Sequence, residues 1–262
     1  MKIAVISDTQ CKDGVPLDHL TWAGDYLKDK KPDVIVQIGD FSDLPSLSSY
    51  DIGKKQFEGR RYKTDIEVAK KAMEMLLSPI WEEQARQRKN KEKVWKPRMV
   101  LTLGNHEDRI KRAVENDAKL EGILSLKDLG YEDRGWEVVP FLEPVNIGGI
   151  MFSHYFPSGV LGRPVTTARQ LIMKKHMSCV AGHLQGRDIA FATRADGVQI
   201  MALISGSYYQ HNEDYLSPQA NNHWRGFYFL HSVSEGAADE MALSLEYLKK
   251  RYESKMWKMQ AN

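Results

Sequence analysis

The chain has 262 residues, of which 42% are hydrophobic and 27% charged, and its formal net charge is +2. This composition excludes a disordered, collagenous or coiled-coil chain, and no apolar run is long enough to span a bilayer. The polar residues that soon follow the first apolar run lead us to expect no signal peptide. Cys11 and Cys179 provide no disulfide framework, so we expect one soluble domain, with or without an insertion, in a reducing cytoplasm.

The first half of the sequence alternates strand and helix patterns. Short apolar runs predict buried strands at residues 2–7, 33–38 and 98–103. Helical periodicity is present at residues 16–30 and 64–91, and we expect Pro79 to interrupt the second helix. This order indicates an α/β fold with a parallel sheet covered on both faces.

The connection between the second and third predicted strands is unusually long. We interpret residues 44–98 as a helical insertion within a single domain spanning residues 1–262. Between Lys54 and Arg98, basic residues outnumber acidic residues 14 to 7. This excess favours contact with a phosphate backbone, but a solvated helix with a charged face explains it equally well.

The second half is richer in strand patterns. Strands are predicted within residues 136–142, 145–154, 179–183, 188–193, 198–204, 226–233 and 241–247. Asp196-Gly197 predicts a hairpin turn, and the last two strands are consistent with another hairpin. A polar loop at residues 208–225 is expected to contribute to a substrate rim, and the tail at 249–262 forms either a short docking helix or a frayed end.

Clusters of polar residues follow five of the predicted strands. They contain Asp8 and Gln10, then Asp40 and Asp43, then Asn105, His106 and Glu107, then His154, and finally His183 and Gln185. Any one of them is explained by a turn, a helix cap or a buried histidine. Together they predict one site, because ligands bind outside the carboxyl ends of strands in open α/β sheets. Carboxylate, amide and imidazole donors without cysteine suit Mn²⁺, Fe or Zn²⁺.

In this order the clusters resemble the motifs of the calcineurin-like metallophosphoesterase superfamily, over the chain from Asp8 to Gln185. The resemblance implies a β-sandwich flanked by helices, with a two-metal site at the strand ends. It also implies that Asp8 binds the first metal, that Asp40 bridges both, and that the second metal is bound by Asn105, His154 and His183. A hydroxide between the two ions is then expected to attack phosphorus in line.

The resemblance assigns roles to residues beside the metals. His106 is expected to stabilise the scissile phosphate or to protonate the leaving oxygen as a general acid, and Asp43 to hold His106 in orientation. Arg109 follows this motif directly. It either binds a substrate phosphate through two hydrogen bonds or is a charge on a helix surface.

Two positions depart from the family pattern. Gln10 and Gln185 stand where the family usually has histidine, and both positions serve the first metal. A glutamine oxygen is a neutral and harder donor than imidazole, so we expect a first site that is weaker or that prefers Mn²⁺ or Mg²⁺ to Zn²⁺. We expect two divalent ions, with manganese favoured over Mg, Fe, Ni or Zn. A single-metal enzyme is an alternative.

The leading functional hypothesis is a metal-dependent phosphodiesterase or nuclease that acts on nucleic acid or a nucleotide, since the basic insertion could follow a phosphate backbone. The alternatives are a phosphomonoesterase acting on proteins or small molecules, and a catalytically silent nucleic-acid-binding module. Leu44-Pro45 stands where Ser/Thr protein phosphatases have Arg-Gly, which argues against that branch. Stand-alone chains with such glutamines resemble genes of phages or mobile elements, so a host cytoplasm is included in the expected location.

Overall fold

The computed structural model describes residues 1–213 and 216–260, with residues 254–260 described by their backbone alone. In chain order the strands are β1 (Ile3–Ile6), β2 (Val34–Gln37), β3 (Arg98–Thr102), β4 (Glu137–Val139), β5 (Val145–Ile147), β6 (Ile150–Ser153), β7 (Cys179–Ala181), β8 (Arg187–Thr193), β9 (Gln199–Ser205), β10 (Gly226–Ser234) and β11 (Ala237–Ser244). The α-helices are α1 (Asp18–Lys30), α2 (Tyr62–Lys89), α3 (Asp108–Asn116), α4 (Ala168–Lys175) and α5 (Leu245–Gln260). Short 3-10 helices lie at Pro45–Leu47, Lys55–Phe57, Ala118–Leu120, Leu126–Leu129, Glu132–Arg134 and Ala220–Asn222.

The strands form two sheets that pack face to face. The first has the order β11-β10-β1-β2-β3-β4, and the second has the order β5-β6-β7-β9-β8. On β1, Ile3 and Val5 face the second sheet while Ala4 and Ile6 face the helices, as the two-residue period of a strand requires. Helices α1, α2 and α5 cover the outer face of the first sheet, and α4 covers that of the second. This architecture confirms the predicted α/β fold with a β-sandwich flanked by helices.

The first sheet is mixed, but the strands predicted in the first half of the chain run parallel to one another, as expected. Strands β1 to β4 run parallel, but β10 pairs antiparallel with β1 and continues into β11. The predicted strand at 145–154 is two strands, β5 and β6, which are separated by the left-handed residues Gly148 and Gly149. The hairpin around Asp196-Gly197 is confirmed.

Helix α2 runs through Pro79 without a break, contrary to the predicted interruption. Pro79 is buried where α2 crosses α1, and a Cβ atom at Gly24 of α1 would overlap the Leu76 carbonyl oxygen and the Pro79 ring. Packing against α1 therefore holds the helix together despite the hydrogen bond that proline cannot donate. The segment interpreted as an insertion thus contains a helix whose apolar face covers the first sheet.

Helix α5 occupies most of the predicted tail, and its Leu248 and Tyr252 are buried in the core between the helices and the first sheet. The docking-helix alternative is therefore correct as far as Tyr252, while residues 261–262 lie outside the described residues. Within residues 1–213 and 216–260, no helix is both long and apolar enough to cross a membrane.

Candidate active site

The loops that follow β1, β2 and β3 of the first sheet meet the loops that follow β6 and β7 of the second. The Asn105 side-chain oxygen lies 2.9 Å from His154 Nε2 and 2.8 Å from His183 Nδ1. One Asp40 carboxylate oxygen lies 3.4 Å from His154 Nε2, and the His183 backbone N–H donates to the Asp8 carboxylate at 2.9 Å. The five side chains predicted as metal ligands from the resemblance therefore lie together.

The backbone at this centre is in an unusual conformation. Five non-glycine residues of the clusters have the left-handed φ that L-residues seldom adopt, namely Asp8, Gln10, Asp40, His183 and Gln185. Such conformations cost of order 1–3 kcal/mol each, and they concentrate at functional sites, where the surrounding structure enforces them. The glycines between the ligands allow close approach, because a Cβ atom at Gly104 would overlap the Asp40 carboxylate.

The two glutamines have different surroundings. Gln10 is 1% exposed, and neither atom of its amide has a hydrogen-bond partner among the described residues. A buried amide without a partner is costly, so its environment fits a ligand to a cation. The Gln185 side-chain oxygen accepts a hydrogen bond of 2.7 Å from the Tyr209 hydroxyl, so this oxygen already has a protein partner.

Burial and mutual charge shift the pKa values of the cluster in opposite directions. Burial, together with the nearby Asp40 carboxylate, raises the pKa of Asp8 to about 8. Although burial opposes it, the Asp40 carboxylate raises the pKa of His154 to about 9. Burial, assisted by His154, lowers the pKa of His183 to about 4. Oxygen and imidazole donors from Asp40, His154 and His183 all lie within 4.8 Å of one another, a spacing that one cation can span.

His106 lies beside this cluster and is held by Asp43. Its Nδ1 lies 2.8 Å from an Asp43 carboxylate oxygen, and its Nε2 lies 3.2 Å from an Arg109 guanidinium nitrogen. Although burial opposes it, the Asp40 and Asp43 carboxylates raise the pKa of His106. The Arg109 side chain is 13% exposed and donates to the Asp43 carbonyl oxygen at 2.7 Å. Arg109 therefore lies inside the site rather than on the exposed surface of α3.

Two further charged residues at this site, Lys12 and Glu213, were not among the predicted site residues. Lys12 Nζ lies 3.0 Å from the Asp43 carboxylate and 2.6 Å from the buried Glu213 carboxylate. Lys12 has no motif of its own, and Glu213 is 201 residues away along the chain. Their pairing could not be read from local pattern.

Glu107 has a structural role that its position in the motif did not reveal. Its carboxylate is fully buried and accepts backbone N–H bonds of 3.0 Å from Asp40, 2.9 Å from Ser42 and 2.9 Å from Gly104. One side chain thus fixes the loops after β2 and β3 against each other.

An open cleft of about 940 Å³ leads to this centre. One wall is the segment 45–65, which connects β2 to the first turn of α2. Within the polar loop predicted as a rim, Asn212 and Glu213 line the cleft, while residues 214–215 lie outside the described residues. His106, Arg109 and Lys12 also line it.

The clustered side chains form a group that could hold a metal ion, and comparison with known proteins gives the family of the chain. The family model of the calcineurin-like phosphoesterases matches residues 1–216, so the chain belongs to this family and is a phosphoester hydrolase. This confirms the resemblance identified from the motifs.

Two individual proteins are also similar to this chain. The Gene 54 protein of Mycobacterium phage L5 is 28% identical over 198 residues, which cover 72% of this chain and 70% of that protein. Among solved structures, a dimetal phosphatase from Danio rerio superposes over 94% of this chain and 99% of its own, with a TM-score of 0.42 and 12% identity.

Proposed function

We propose that this phosphoester hydrolase is a phosphodiesterase that acts on nucleotides or nucleic-acid strands, with His106 as its general acid. The observation that carries the proposal is the cleft of about 940 Å³ around His106. This volume is near the upper end of typical small-molecule sites, so it accommodates substituents on both sides of a phosphate.

The residues present fit two divalent ions. Asp40, Asn105, His154 and His183 would hold one ion, and Asp8, Gln10 and Asp40 would hold the other, with Gln185 as a further oxygen donor. The unpartnered amide of Gln10 supports this assignment. The oxygen-rich set around Asp8 favours Mn²⁺ or Mg²⁺, since these ions prefer carboxylate and amide oxygens.

When bound, such ions would polarise the phosphate and lower the pKa of a water molecule. The protein groups supply the other requirements. Asp43 holds the imidazole of His106 through Nδ1. Nε2 would then be the atom that gives a proton to the leaving oxygen. Arg109 lies close enough to His106 to bind a phosphate oxygen at the same centre, and a guanidinium can do so through two hydrogen bonds.

The two ends of α2 lie at different ends of the molecule, and each end carries basic residues. At the start of α2, Asp65 accepts from the Ser46 backbone beside the cleft. At its other end, Glu83 pairs with Lys31, which precedes β2. The basic end of α2, with Arg88 and Lys89, therefore lies far from the strand ends that carry the site. Lys54 and Arg61 line the cleft itself.

The substrate class is tested with purified protein in Mn²⁺. Bis-p-nitrophenyl phosphate, p-nitrophenyl phosphate, single-stranded DNA, duplex DNA and RNA are assayed side by side, with the His106→Ala variant as the control for contaminating activity. The proposal predicts turnover of the diester and of at least one nucleic acid, and a loss of about 10²–10⁴-fold in His106→Ala. Turnover of the monoester alone would contradict it, and binding without turnover would indicate a silent module.

Basic residues in the cleft can be compared with an equal number of basic residues at the far end of α2. Reversing the cleft residues in the double variant K54E/R61E should weaken strand cleavage by about tenfold or more at low salt, because phosphate contacts contribute electrostatically to binding. The double variant R88E/K89E carries the same charge change at the far end of α2 and should retain wild-type rates. Equal losses in the two variants would show a general effect of net charge and no path for the substrate along the cleft.

A further inference from the structure

An exposed aromatic side chain stands on the wall of the catalytic cleft. Tyr50 is 79% exposed and lines the same cleft as His106. Large aromatic side chains contribute most when buried, so an aromatic ring left in solvent at the mouth of an active site is available for a flat ligand.

The loop that carries Tyr50 is held by its neighbour Asp51. The Asp51 carboxylate accepts from Gln56 at 2.7 Å and from Arg60 at 2.8 Å, and it also pairs with Lys54 at 3.2 Å. Arg60 in turn donates to the Pro45 carbonyl oxygen at 3.0 Å. The ring is therefore presented by a loop with several internal bonds, which lowers the entropy lost when a ligand binds.

A guanidinium lies on the same wall. Arg61 lines the cleft, and it donates to the Arg60 carbonyl oxygen at 2.8 Å. In the part of the chain that the structure describes, it has no carboxylate partner, unlike Arg60 and Lys54. Its charge is thus available for an anion that reaches this wall.

We propose that Tyr50 and Arg61 form a nucleotide subsite, in which the tyrosine ring stacks on a nucleobase and the guanidinium contacts a phosphate flanking the scissile one. This inference rests on the proposed function and narrows its substrate to nucleotides and unpaired strands, whose bases are free to stack. In a duplex the bases are covered by their neighbours. A single-stranded substrate is therefore preferred to a duplex of the same sequence.

The kinetic test uses two diesters with one leaving group, thymidine 5′-(p-nitrophenyl phosphate) and methyl p-nitrophenyl phosphate. Tyr50→Ala should lower kcat/KM for the thymidine ester by about tenfold, as expected for the loss of one base stack, and for the methyl ester by less than about twofold. Tyr50→Trp should retain or raise the ratio of kcat/KM for the thymidine ester to kcat/KM for the methyl ester. The control Tyr247→Ala removes an exposed ring from α5 and should change neither substrate.

Equal losses on both esters, or no loss on either, would overturn the subsite. If the wild type hydrolyses neither ester, the proposed function fails, and the subsite is then judged by binding of a fluorescent oligothymidylate to the wild type, Tyr50→Ala and Arg61→Gln. Binding that both substitutions weaken by about fivefold or more supports the subsite. Binding that is unchanged in Tyr50→Ala overturns it.

Discussion

Lys12 joins three loops of the active site through two carboxylates. Its ammonium contacts Asp43 and Glu213, which belong to the loops after β2 and β9. Asp43 in turn holds His106. Lys12 and its partners are largely shielded from water, so this arrangement is worth more than an exposed ion pair. We therefore propose that Lys12 positions His106, the proposed general acid, through Asp43.

Replacing Lys12 by methionine should make the reaction more sensitive to the leaving group. A poor leaving group such as phenoxide needs its proton more than p-nitrophenoxide does, so loss of general-acid alignment is felt most with the phenyl ester. We expect kcat for methyl phenyl phosphate to fall by about 10- to 100-fold, and for methyl p-nitrophenyl phosphate by a few-fold.

The control for this comparison is Lys28→Met, which removes a lysine paired with Asp25 on α1, away from the cleft. It should leave both rates unchanged. If Lys12→Met slowed the two esters by the same factor, Lys12 would have a purely structural role.

We expect His19 to make the stability of the protein depend on pH. Its ring is fully buried against Tyr208, and it faces His211 and the Gln210 amide. Burial, with the neighbouring His211, lowers the pKa of His19 from 6.5 to about 3. The folded state therefore binds fewer protons than the unfolded state at mildly acidic pH, so stability falls as the pH drops below 6.5.

Urea unfolding at pH 7 and pH 5 measures this effect. Between these values the wild type should lose about 2 kcal/mol more free energy of unfolding than His19→Gln, in which the titrating group is absent. Other groups titrate in both proteins, so only the difference is interpreted. An identical pH slope in the two proteins would exclude a neutral buried histidine at this position.

At the scale of elements, α1 and α2 pack closely where they cross at Gly24. A Cβ atom at Gly24 would overlap the Leu76 carbonyl oxygen, which belongs to backbone and cannot rotate away. Alanine is the better helix former by about 1 kcal/mol, but overpacking a core contact costs about 1–3 kcal/mol. We therefore expect the cost of steric overlap to exceed the gain in helix propensity in Gly24→Ala.

The measurement is the free energy of unfolding of Gly24→Ala, which should fall by about 1–2 kcal/mol. Thr21→Ala, on the same helix at a half-buried position, should lie within about 0.5 kcal/mol of the wild type. A higher free energy of unfolding in Gly24→Ala would mean that the two helices move apart at little cost. The greater helix propensity of alanine would then outweigh the steric overlap.

The elements could be predicted from the sequence where their pattern is local. The runs at β1, β2 and β3 are apolar on both faces, and β8 and β9 flank an Asp-Gly turn. The continuity of α2 and the antiparallel pairing of β10 with β1 were missed. Both depend on partners distant in the chain: α2 is sustained through Pro79 by α1, and β10 lies more than 200 residues after β1.

At the scale of the whole molecule, the site is assembled from both sheets. Asp8, Asp40 and Asn105 follow strands of the first sheet, while His154 and His183 follow strands of the second. The sequence motifs predicted these side chains because each motif is short and follows a strand. Two features could not be predicted: the position of the basic end of α2, far from the site, and the exposed ring of Tyr50 in the cleft. Both depend on how the long β2–β3 connection folds over the first sheet.

A cation shared by side chains from both sheets should stabilise the sandwich. A ligand that binds only the folded state at one hundred times its Kd adds about 2.7 kcal/mol, which for a chain of this size raises Tm by about 5–10 °C. We therefore expect Mn²⁺ to raise the Tm of EDTA-treated protein by this amount.

His154→Ala removes a donor of the second sheet and should abolish most of the shift, whatever its starting Tm. His231→Ala, in β10, should keep the full shift. If Mn²⁺ does not change the Tm of the wild type, or raises the Tm of His154→Ala by the same amount, these side chains do not hold a cation between the sheets.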